Sequence, residues 1–261
     1  CAALLDAMAS YDEKDSTCTK RKDINFEKSL SKDFGSLNIG VIKNIEKLGI
    51  NEDVINAYET SKTVLTGLGH KLIEVDFSEL SSGICSYYVI APAECSSNLS
   101  RFDGVKYGYR SDGEKDIANL YMNTRSDGFG DEVKKRILIG THVLSAGFYD
   151  AYYLQAQKVR RMIKTKFETF FKDVDLIFMP TTLDQAFEKN RKSDDPNRMY
   201  KEDLLTIPAN LAGLPAISFP NGFKNNLPIG GQLIGEYFGE DLLLNTTNKI
   251  QEVTDWHKMT P

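Results

Sequence analysis

The pattern that decides the fold lies in residues 37–77, LNIGVIKNIEKLGINEDVINAYETSKTVLTGLGHKLIEVDF. Residues 37–42 form a short apolar run, which is typical of a buried strand. Asn51 precedes a helical stretch with an acidic first turn, and Gly69 follows its end, as expected for a capped helix. Residues 71–77 then have the pattern of a second strand. The order strand, helix, strand predicts a βαβ unit with two parallel strands.

The remainder of the chain alternates the same two kinds of segment. Short apolar runs predict three more strands, over residues 175–179, 216–219 and 231–234. Apolar residues at helical spacing predict two long helices within 129–171, one helix over 200–211 and an amphipathic helix over 240–256. We therefore predict an α/β fold with a mixed β-sheet flanked by helices.

Three segments carry more specific expectations. Pro92 lies inside a helix-like run over residues 87–99, so we expect it to kink or split that helix. Residues 137–148 are apolar nearly all round, as expected of a buried helix. Residues 188–198 are polar, and their composition indicates a mobile loop.

Length and composition limit the classes of protein. The chain has 261 residues, of which 41% are hydrophobic and 26% charged, the balance of a globular protein with one large domain or two small ones. Its net charge of −5 argues against a nucleic-acid-binding surface of its own, because phosphate groups attract clustered Lys and Arg. We expect a partner to hold any RNA. No apolar run reaches the roughly 18 residues of a membrane span, so no contact with a membrane is expected.

The cysteines and the first residues bear on the compartment. Cys1, Cys18, Cys85 and Cys95 lack the spacing of a metal site, and we interpret them as free thiols in a reducing cytoplasm. The first residues are too short an apolar run for a signal peptide. They have the pattern of the last turns of an amphipathic helix, so we expect further sequence upstream of Cys1.

Seven hydroxyl side chains crowd residues 86–108, SYYVIAPAECSSNLSRFDGVKYG, next to an apolar run. Buried hydroxyls need hydrogen-bond partners. We interpret this segment as the wall of a polar pocket, in which Tyr87 or Tyr88 offers a phenol to a ligand. The alternative is a helix with incidental serines, where Arg101 and Asp103 pair and fix a turn.

Arg136 is a candidate for binding a carboxylate. Helical spacing places Arg136, Gly140, Val143 and Gly147 on one face, and the small residues would leave room above the guanidinium. A guanidinium in such a space can hold a carboxylate through two parallel hydrogen bonds. The alternative is a surface arginine beside two neighbouring lysines.

Asp203 is a candidate for binding an amino group. It precedes two leucines and follows an acidic residue, so the alternative is an exposed acid at a helix end. A free amino acid is a zwitterion, and a site for it needs one fixed cation and one fixed anion. Arg136 and Asp203 together meet that requirement.

Motifs for a nucleophile or a metal are absent from the sequence. It contains no GxSxG elbow, no GGSSGG-type loop, no P-loop and no HExxH spacing around its three histidines. Residues 230–232 match the Gly-Gly-Gln tripeptide of peptide-release factors. That chemistry needs an exposed loop tip, whereas the apolar residues that follow indicate a strand, so we interpret the match as incidental.

Five stretches resemble one branch of the amidase-signature family, the A subunits of glutamyl-tRNA(Gln) amidotransferases. They are DST (15–17), SYYVIAPAECSSNLSRFDGVKYGYR (86–110), GFGDEVKKRILIGTHVLSAGFYDAYYLQAQKVR (128–160), PANLAGLPAISFP (208–220) and LPIGGQLIG (227–235). The resemblance runs from Ala2 to the end and matches the C-terminal half of the family. Two places depart from it. Leu183-Asp184 stand where a proline-containing turn is usual, and Gly231 stands where a larger apolar residue is usual.

The resemblance implies that residues 1–261 are the C-terminal part of a single amidase-signature domain. The family's catalytic serine, its second serine in a cis peptide and its lysine belong to the N-terminal half, so no catalytic residue is expected in this chain. Tyr87 would contact bound glutamine, Arg136 would hold its α-carboxylate, and Asp203 its α-amino group. No metal or cofactor is expected here.

The same resemblance implies a function and partners. The parent would release ammonia from glutamine, and a partner B subunit would use it, with ATP and Mg²⁺, to convert Glu-tRNA(Gln) to Gln-tRNA(Gln). A small C subunit would clamp the two. The alternatives are a fragment of a general amidase, which would not need both Arg136 and Asp203, and a truncated chain that acts only as a scaffold.

Overall fold

The computed structural model describes residues 1–21, 25–113, 116–187 and 202–261. These residues form two compact units. The first, which we call the sheet unit, comprises Cys1–Ser81 and Ile163–Pro261, and the second, the helical unit, is Ser82–Met162. The interpretation of residues 1–261 as part of one amidase-signature domain stays a prediction.

The sheet unit contains one five-stranded mixed sheet. Its strands are β1 (Asn38–Ile42), β2 (Lys71–Val75), β3 (Leu176–Pro180), β4 (Ala216–Lys224) and β5 (Leu227–Gly235), in the order β2-β1-β3-β5-β4. β1 is parallel to both β2 and β3, whereas β5 is antiparallel to both β3 and β4. The predicted α/β fold, its mixed sheet and the parallel βαβ unit are all confirmed.

Nine α-helices lie in the described part of the chain. They are α1 (Ala2–Met8), α2 (Phe26–Ser29), α3 (Glu52–Gly67), α4 (Gly83–Leu99), α5 (Ile117–Gly128), α6 (Asp131–Val143), α7 (Leu154–Phe170), α8 (Ile207–Ala212) and α9 (Glu240–Val253). Short 3₁₀ turns span Ile45–Leu48, Ser78–Ser82 and Trp256–Lys258, and a π-helical turn spans Tyr149–Tyr153. None of these helices is long and apolar enough to cross a bilayer.

Helix α3 packs on the sheet through its buried tyrosine. The side chain of Asn51 accepts a hydrogen bond from the Asp53 amide, which starts the helix as the sequence predicts. The Tyr58 ring stacks on Phe178 of β3 at 5.1 Å, and its hydroxyl accepts a hydrogen bond of 2.8 Å from the Ile42 amide. Burial raises the pKa of Tyr58, so the phenol stays protonated at neutral pH.

The segment before α8 is a turn rather than a helix. A helix was predicted over 200–211, but residues 202–206 form turns and the helix begins at Ile207. Residues 200 and 201 lie outside the described residues, as do residues 188–198, for which a mobile loop was predicted. Pro208 stands in the first turn of α8, where its missing N–H removes no helical hydrogen bond, so it starts this helix and does not interrupt a longer one.

In the helical unit, the backbones of α4 and α6 touch. A Cβ at Gly140 of α6 would overlap the carbonyl oxygen of Pro92 in α4 and would lie 2.7 Å from the Cβ of Ser96. Helix α4 continues through Pro92, so of the two predicted outcomes the split is wrong and the kink stays a prediction. The proline removes only one backbone donor, and the close contact with α6 holds the helix on both sides of it.

The stretch 137–148 is not a buried helix. Helix α6 ends at Val143, and Leu138 and Ile139 are 72% and 43% exposed. Among these residues only Gly140 and Val143 are buried. The apolar residues on every side of this helix therefore do not predict that it is buried, because only one narrow face of α6 packs against α4.

Candidate functional site

The hydroxyl groups of two serines in α4 form hydrogen bonds within the helical unit. Ser86 is buried, and its Oγ donates to the carbonyl oxygen of Ala156 at 2.8 Å. The Oγ of Ser96 lies 2.9 Å from Oγ1 of Thr141 in α6. Both hydroxyls join helices to each other, so neither needs a ligand to offset its burial.

Arg136 and Tyr87 meet across the same two helices. Nη1 of Arg136 donates to the Tyr87 hydroxyl oxygen at 3.5 Å, the outer limit of a hydrogen bond, and Nε donates to Oε1 of Glu132 at 3.0 Å. The hydrogen bond to Tyr87, and secondly the one to Glu132, raise the pKa of Arg136. The guanidinium therefore carries a permanent charge at a position that is 32% exposed.

The pair retains donors for a ligand. Nη2 of Arg136 has no protein acceptor among the described residues. The Tyr87 hydroxyl accepts from the guanidinium and so still has its own proton to donate. The ring of Tyr87 stands edge-on to Tyr88 at 5.1 Å, which limits how the phenol can turn. Guanidinium and phenol together can hold a carboxylate.

The space predicted above the guanidinium is not formed by the glycines. Gly140 is filled by the backbone of Pro92, and Gly147 lies beyond the end of α6 with a φ of +88°. The predicted common face of Arg136, Gly140, Val143 and Gly147 is therefore wrong at its last member. Gly140 instead allows α6 to pack closely on α4, because a glycine lets two backbones approach each other.

The turn that follows α4 is held by backbone and side-chain hydrogen bonds. Oδ1 of Asp103 accepts from the Val105 amide at 2.8 Å. Nη1 of Arg125 in α5 donates to the carbonyl oxygens of Leu99 and Phe102 at 2.9 and 3.0 Å, which satisfies the end of α4. Sequence reasoning missed Arg125, and no local pattern marks it, because its partners lie more than twenty residues away.

Asp203 lies in the sheet unit, in the turn before α8. It is half-buried, and its carbonyl oxygen accepts hydrogen bonds from the amides of Thr206 and Ile207 at 3.2 and 3.0 Å. The residue predicted for the amino group of the ligand therefore belongs to a different unit from Tyr87 and Arg136. Its role stays a prediction, as do those of the other two.

Gln232 links that turn to the sheet. It is 3% exposed within β5, and its Nε2 donates to the carbonyl oxygens of Pro180 and Leu205 at 3.1 and 2.9 Å. The tripeptide that matches release factors is thus part of a paired strand, and its glutamine faces protein backbone. Sequence reasoning dismissed the tripeptide for the right reason but missed the structural role of its glutamine.

The two departures from the family pattern are both accommodated. The carbonyl oxygen of Leu183 accepts from the Asn51 amide at 2.8 Å, and Oδ1 of Asp184 accepts from Asn51 Nδ2 at 3.1 Å, so this loop is tied to the start of α3. A Cβ at Gly231 would stand 3.0 Å from the Phe178 ring and 3.1 Å from the Asn221 amide. These two side chains occupy the space that a larger residue at position 231 would need.

Within the described residues, no group of three or more His, Cys, Asp or Glu side chains could hold a metal ion. All four cysteines are free thiols.

The amidase family profile matches residues 1–244. The chain is 49% identical over 260 residues to the A subunit of the glutamyl-tRNA(Gln) amidotransferase of Coxiella burnetii, and 48% identical over 261 residues to that of Methylococcus capsulatus. Each comparison covers 100% of this chain and 54% of the relative. The chain thus spans about half the length of the curated relatives it matches.

Solved structures agree with these matches. The crystal structure of the A subunit of the Thermotoga maritima glutamyl-tRNA(Gln) amidotransferase superposes with a TM-score of 0.76 at 35% identity, covering 100% of this chain and 52% of that one. A 6-aminohexanoate cyclic dimer hydrolase superposes with a TM-score of 0.74 at 21% identity, over 100% of this chain and 54% of that one, which supports the fold alone. The chain therefore belongs to the amidase family.

Proposed function

We propose that this chain is the glutamine-holding part of a glutamine-hydrolysing amidotransferase of the A-subunit type. Arg136 and Tyr87 bind the α-carboxylate of glutamine, and Asp203 binds its α-ammonium group. The observation that carries the proposal is the Arg136–Tyr87 pair, which retains unused donors at Nη2 and at the phenol. The relatives at 48–49% identity are named for an amidotransferase, which supports the choice of substrate.

The nucleophile is supplied from outside these 261 residues. The sequence has no serine in a Gly/Ser-rich catalytic loop, and the chain covers only 54% of its relatives' length. Its contribution is therefore binding and orientation: it holds glutamine by both ends of the zwitterion so that the side-chain amide faces the attacking serine. Alone, the chain binds glutamine but does not hydrolyse it.

The ammonia passes to a partner. A B subunit uses it, with ATP and Mg²⁺, to convert Glu-tRNA(Gln) to Gln-tRNA(Gln) in the cytoplasm, and a C subunit joins the two. The net charge of −5 supports a partner that holds the tRNA. The exposed apolar side chains of the helical unit, among them Leu138, Ile117 and Met122 at 72%, 62% and 62%, support contact with further polypeptide.

Glutamine binding to the full chain tests the proposal. Titration calorimetry compares L-glutamine with its α-amide, which lacks the carboxylate, for the unaltered chain and for Arg136→Ala and Arg136→Lys. Arg136→Ala should lose about 2–4 kcal/mol of binding free energy. Arg136→Lys should also bind more weakly, because an ammonium cannot form the planar two-bond contact. The α-amide should bind weakly to every form.

Lys135→Ala is the matched control, since Lys135 is an exposed cation on the same helix. Equal affinities in Arg136→Ala and Lys135→Ala would mean that Arg136 is a surface residue and the site assignment is wrong. In an amidotransferase assembled with this chain, Arg136→Ala should reduce activity with glutamine far more than with ammonia. An equal loss with both nitrogen donors would contradict the proposal.

A further inference from the structure

Gln232 is a buried amide in the interior of the sheet. In β5 it stands opposite Met179 of β3 on one side and Ser218 of β4 on the other, and it is 3% exposed. An amide removed from water costs free energy unless its polar atoms find partners. Where its polar atoms are partnered, a buried amide fixes the conformation of the segments that it binds.

The hydrogen bonds of Gln232 join two segments that are distant in sequence. Nε2 donates to the carbonyl oxygen of Pro180, the last residue of β3, and to that of Leu205, in the turn before α8. Both partners are carbonyl oxygens, which can only accept, so the nitrogen end of the amide must face them. No apolar side chain of the same size could replace these two bonds.

Leu205 stands two residues after Asp203 in the same turn. Its side chain is fully buried, so the turn is fixed on this side by a core contact and by the bond from Gln232. On the other side, the amides of Thr206 and Ile207 donate to the Asp203 carbonyl oxygen. The backbone at Asp203 is therefore held between the sheet and the first turn of α8.

We infer that Gln232 is a positioning residue that fixes the Asp203 turn and thereby sets the affinity of the site for the α-ammonium group of an amino acid. The inference rests on the proposed function, because it takes Asp203 as the partner of that group. Without the two bonds from Gln232, the turn keeps its buried leucine but loses its tie to β3 and β5. The Asp203 carboxylate then samples several positions and binds the ammonium group less well.

Titration calorimetry of the full chain with two probes isolates this effect. L-glutamine carries the α-ammonium group, and glutaramic acid is the same molecule without it. Gln232→Met keeps the length of the side chain and removes both donors, so its affinity for glutamine should fall about tenfold. Its affinity for glutaramic acid should equal that of the unaltered chain. Gln185→Met is the control, since Nε2 of Gln185 also donates to a carbonyl oxygen, that of Lys224, away from the turn.

Gln232→Glu adds a pH-dependent readout. Its carboxylate would face two carbonyl oxygens and repel them, whereas the protonated form can donate one hydrogen bond. Burial raises the pKa of such a carboxyl group. The affinity of this variant for glutamine should therefore recover in part as the pH falls below neutrality, while Gln232→Met should not recover.

Amide hydrogen exchange measures the turn without any ligand. In Gln232→Met, the amides of Thr206 and Ile207 should exchange about tenfold faster, while those of α9 keep their rates. Unchanged exchange at these two amides overturns the inference, as does an equal loss of affinity for both probes, which would mean general damage. An unaltered chain that binds neither probe overturns the proposed function itself. If the unaltered chain prefers glutamine to glutaramic acid and Gln232→Met binds glutamine with unchanged affinity, the inference alone is overturned.

Discussion

The sheet unit and the helical unit differ in how they hold the residues that are predicted to bind the ligand. In the sheet unit, buried polar side chains bind the backbone: Gln232 links β3 to the Asp203 turn, and Asn245 binds the end of α2. In the helical unit, two backbones touch directly at Gly140, and Arg136 is held by a long hydrogen bond to Tyr87 and by Glu132, which is 64% exposed.

The difference bears on the two predicted ends of the ligand site. The turn that contains Asp203 is bound by a buried hydrogen bond from Gln232 to the Leu205 carbonyl oxygen, which is strong because no water competes for it. The position of Arg136 depends on a hydrogen bond of 3.5 Å to Tyr87 and on an exposed i,i+4 ion pair with Glu132, which contributes little and is screened by salt. We therefore expect the backbone at Asp203 to be more rigid than the side chain of Arg136.

The largest change in the free energy of unfolding should come from adding a side chain where the backbones of α4 and α6 touch. Gly140→Ala places a methyl group against the Pro92 carbonyl, which cannot move without shifting α4, so the free energy of unfolding should fall by about 3 kcal/mol. Gly67→Ala in α3 is the control, because nothing lies within 4 Å of its Cβ. That variant should be stabilised by about 0.5–1 kcal/mol. Chemical denaturation followed by circular dichroism measures both, and similar values for the two variants would refute the backbone contact.

A smaller effect should follow from removing a buried amide in the sheet unit. The two N–H groups of Asn245 Nδ2 are shared among the carbonyl oxygens of Ser29, Leu30 and Lys32, which lie at 2.9–3.0 Å from the nitrogen. Asn245→Ala leaves these oxygens without that donor and should cost about 2 kcal/mol of unfolding free energy. Asn248→Ala in the same helix removes only a surface bond to Glu252, so its effect should stay below about 0.5 kcal/mol. Equal denaturation midpoints would mean that buried polar bonds do not stabilise the sheet unit more than surface ones do.

The smallest expected effect is on how stability depends on pH, through His70. Nδ1 of His70 accepts a hydrogen bond of 3.2 Å from the Leu37 amide. Burial lowers the pKa of His70, and the negative charge of Asp175 offsets part of this shift. The unfolded chain, with the ordinary value of 6.5, therefore binds a proton first as the pH falls. Stability from this group is complete above that value and decreases below it.

His70→Asn should reduce the loss of stability below neutral pH, because the amide oxygen can accept the Leu37 hydrogen bond without titrating. Thermal melts at a series of pH values measure this, with His257→Asn as the control at an exposed position. A pH dependence that is the same in both variants would assign the titration to other groups.

The spacing of apolar residues correctly predicted those helices and strands whose apolar residues are also the buried ones. The βαβ unit, the buried strand β3 and the capped start of α3 follow from residues that are neighbours in sequence, because apolar spacing and capping act locally. Periodicity failed for the burial of residues 137–148 and for the helix over residues 202–206. In the first, apolar residues are exposed, and in the second, a turn anchored by Gln232 from 27 residues away replaces helix.

The sequence by itself determined the fold class and the residue types that suit a zwitterionic ligand, because these depend on order and local pattern, and its resemblance to known sequences indicated the amidase family. Only the tertiary structure decided which side chains meet. It brought Arg136 to Tyr87 across 49 residues of chain, filled Gly140 with the backbone of α4 and gave Gln232 its two carbonyl partners. The physical reason is that a hydrogen bond or a close contact depends on distances of a few ångströms between segments, and no local pattern encodes those distances.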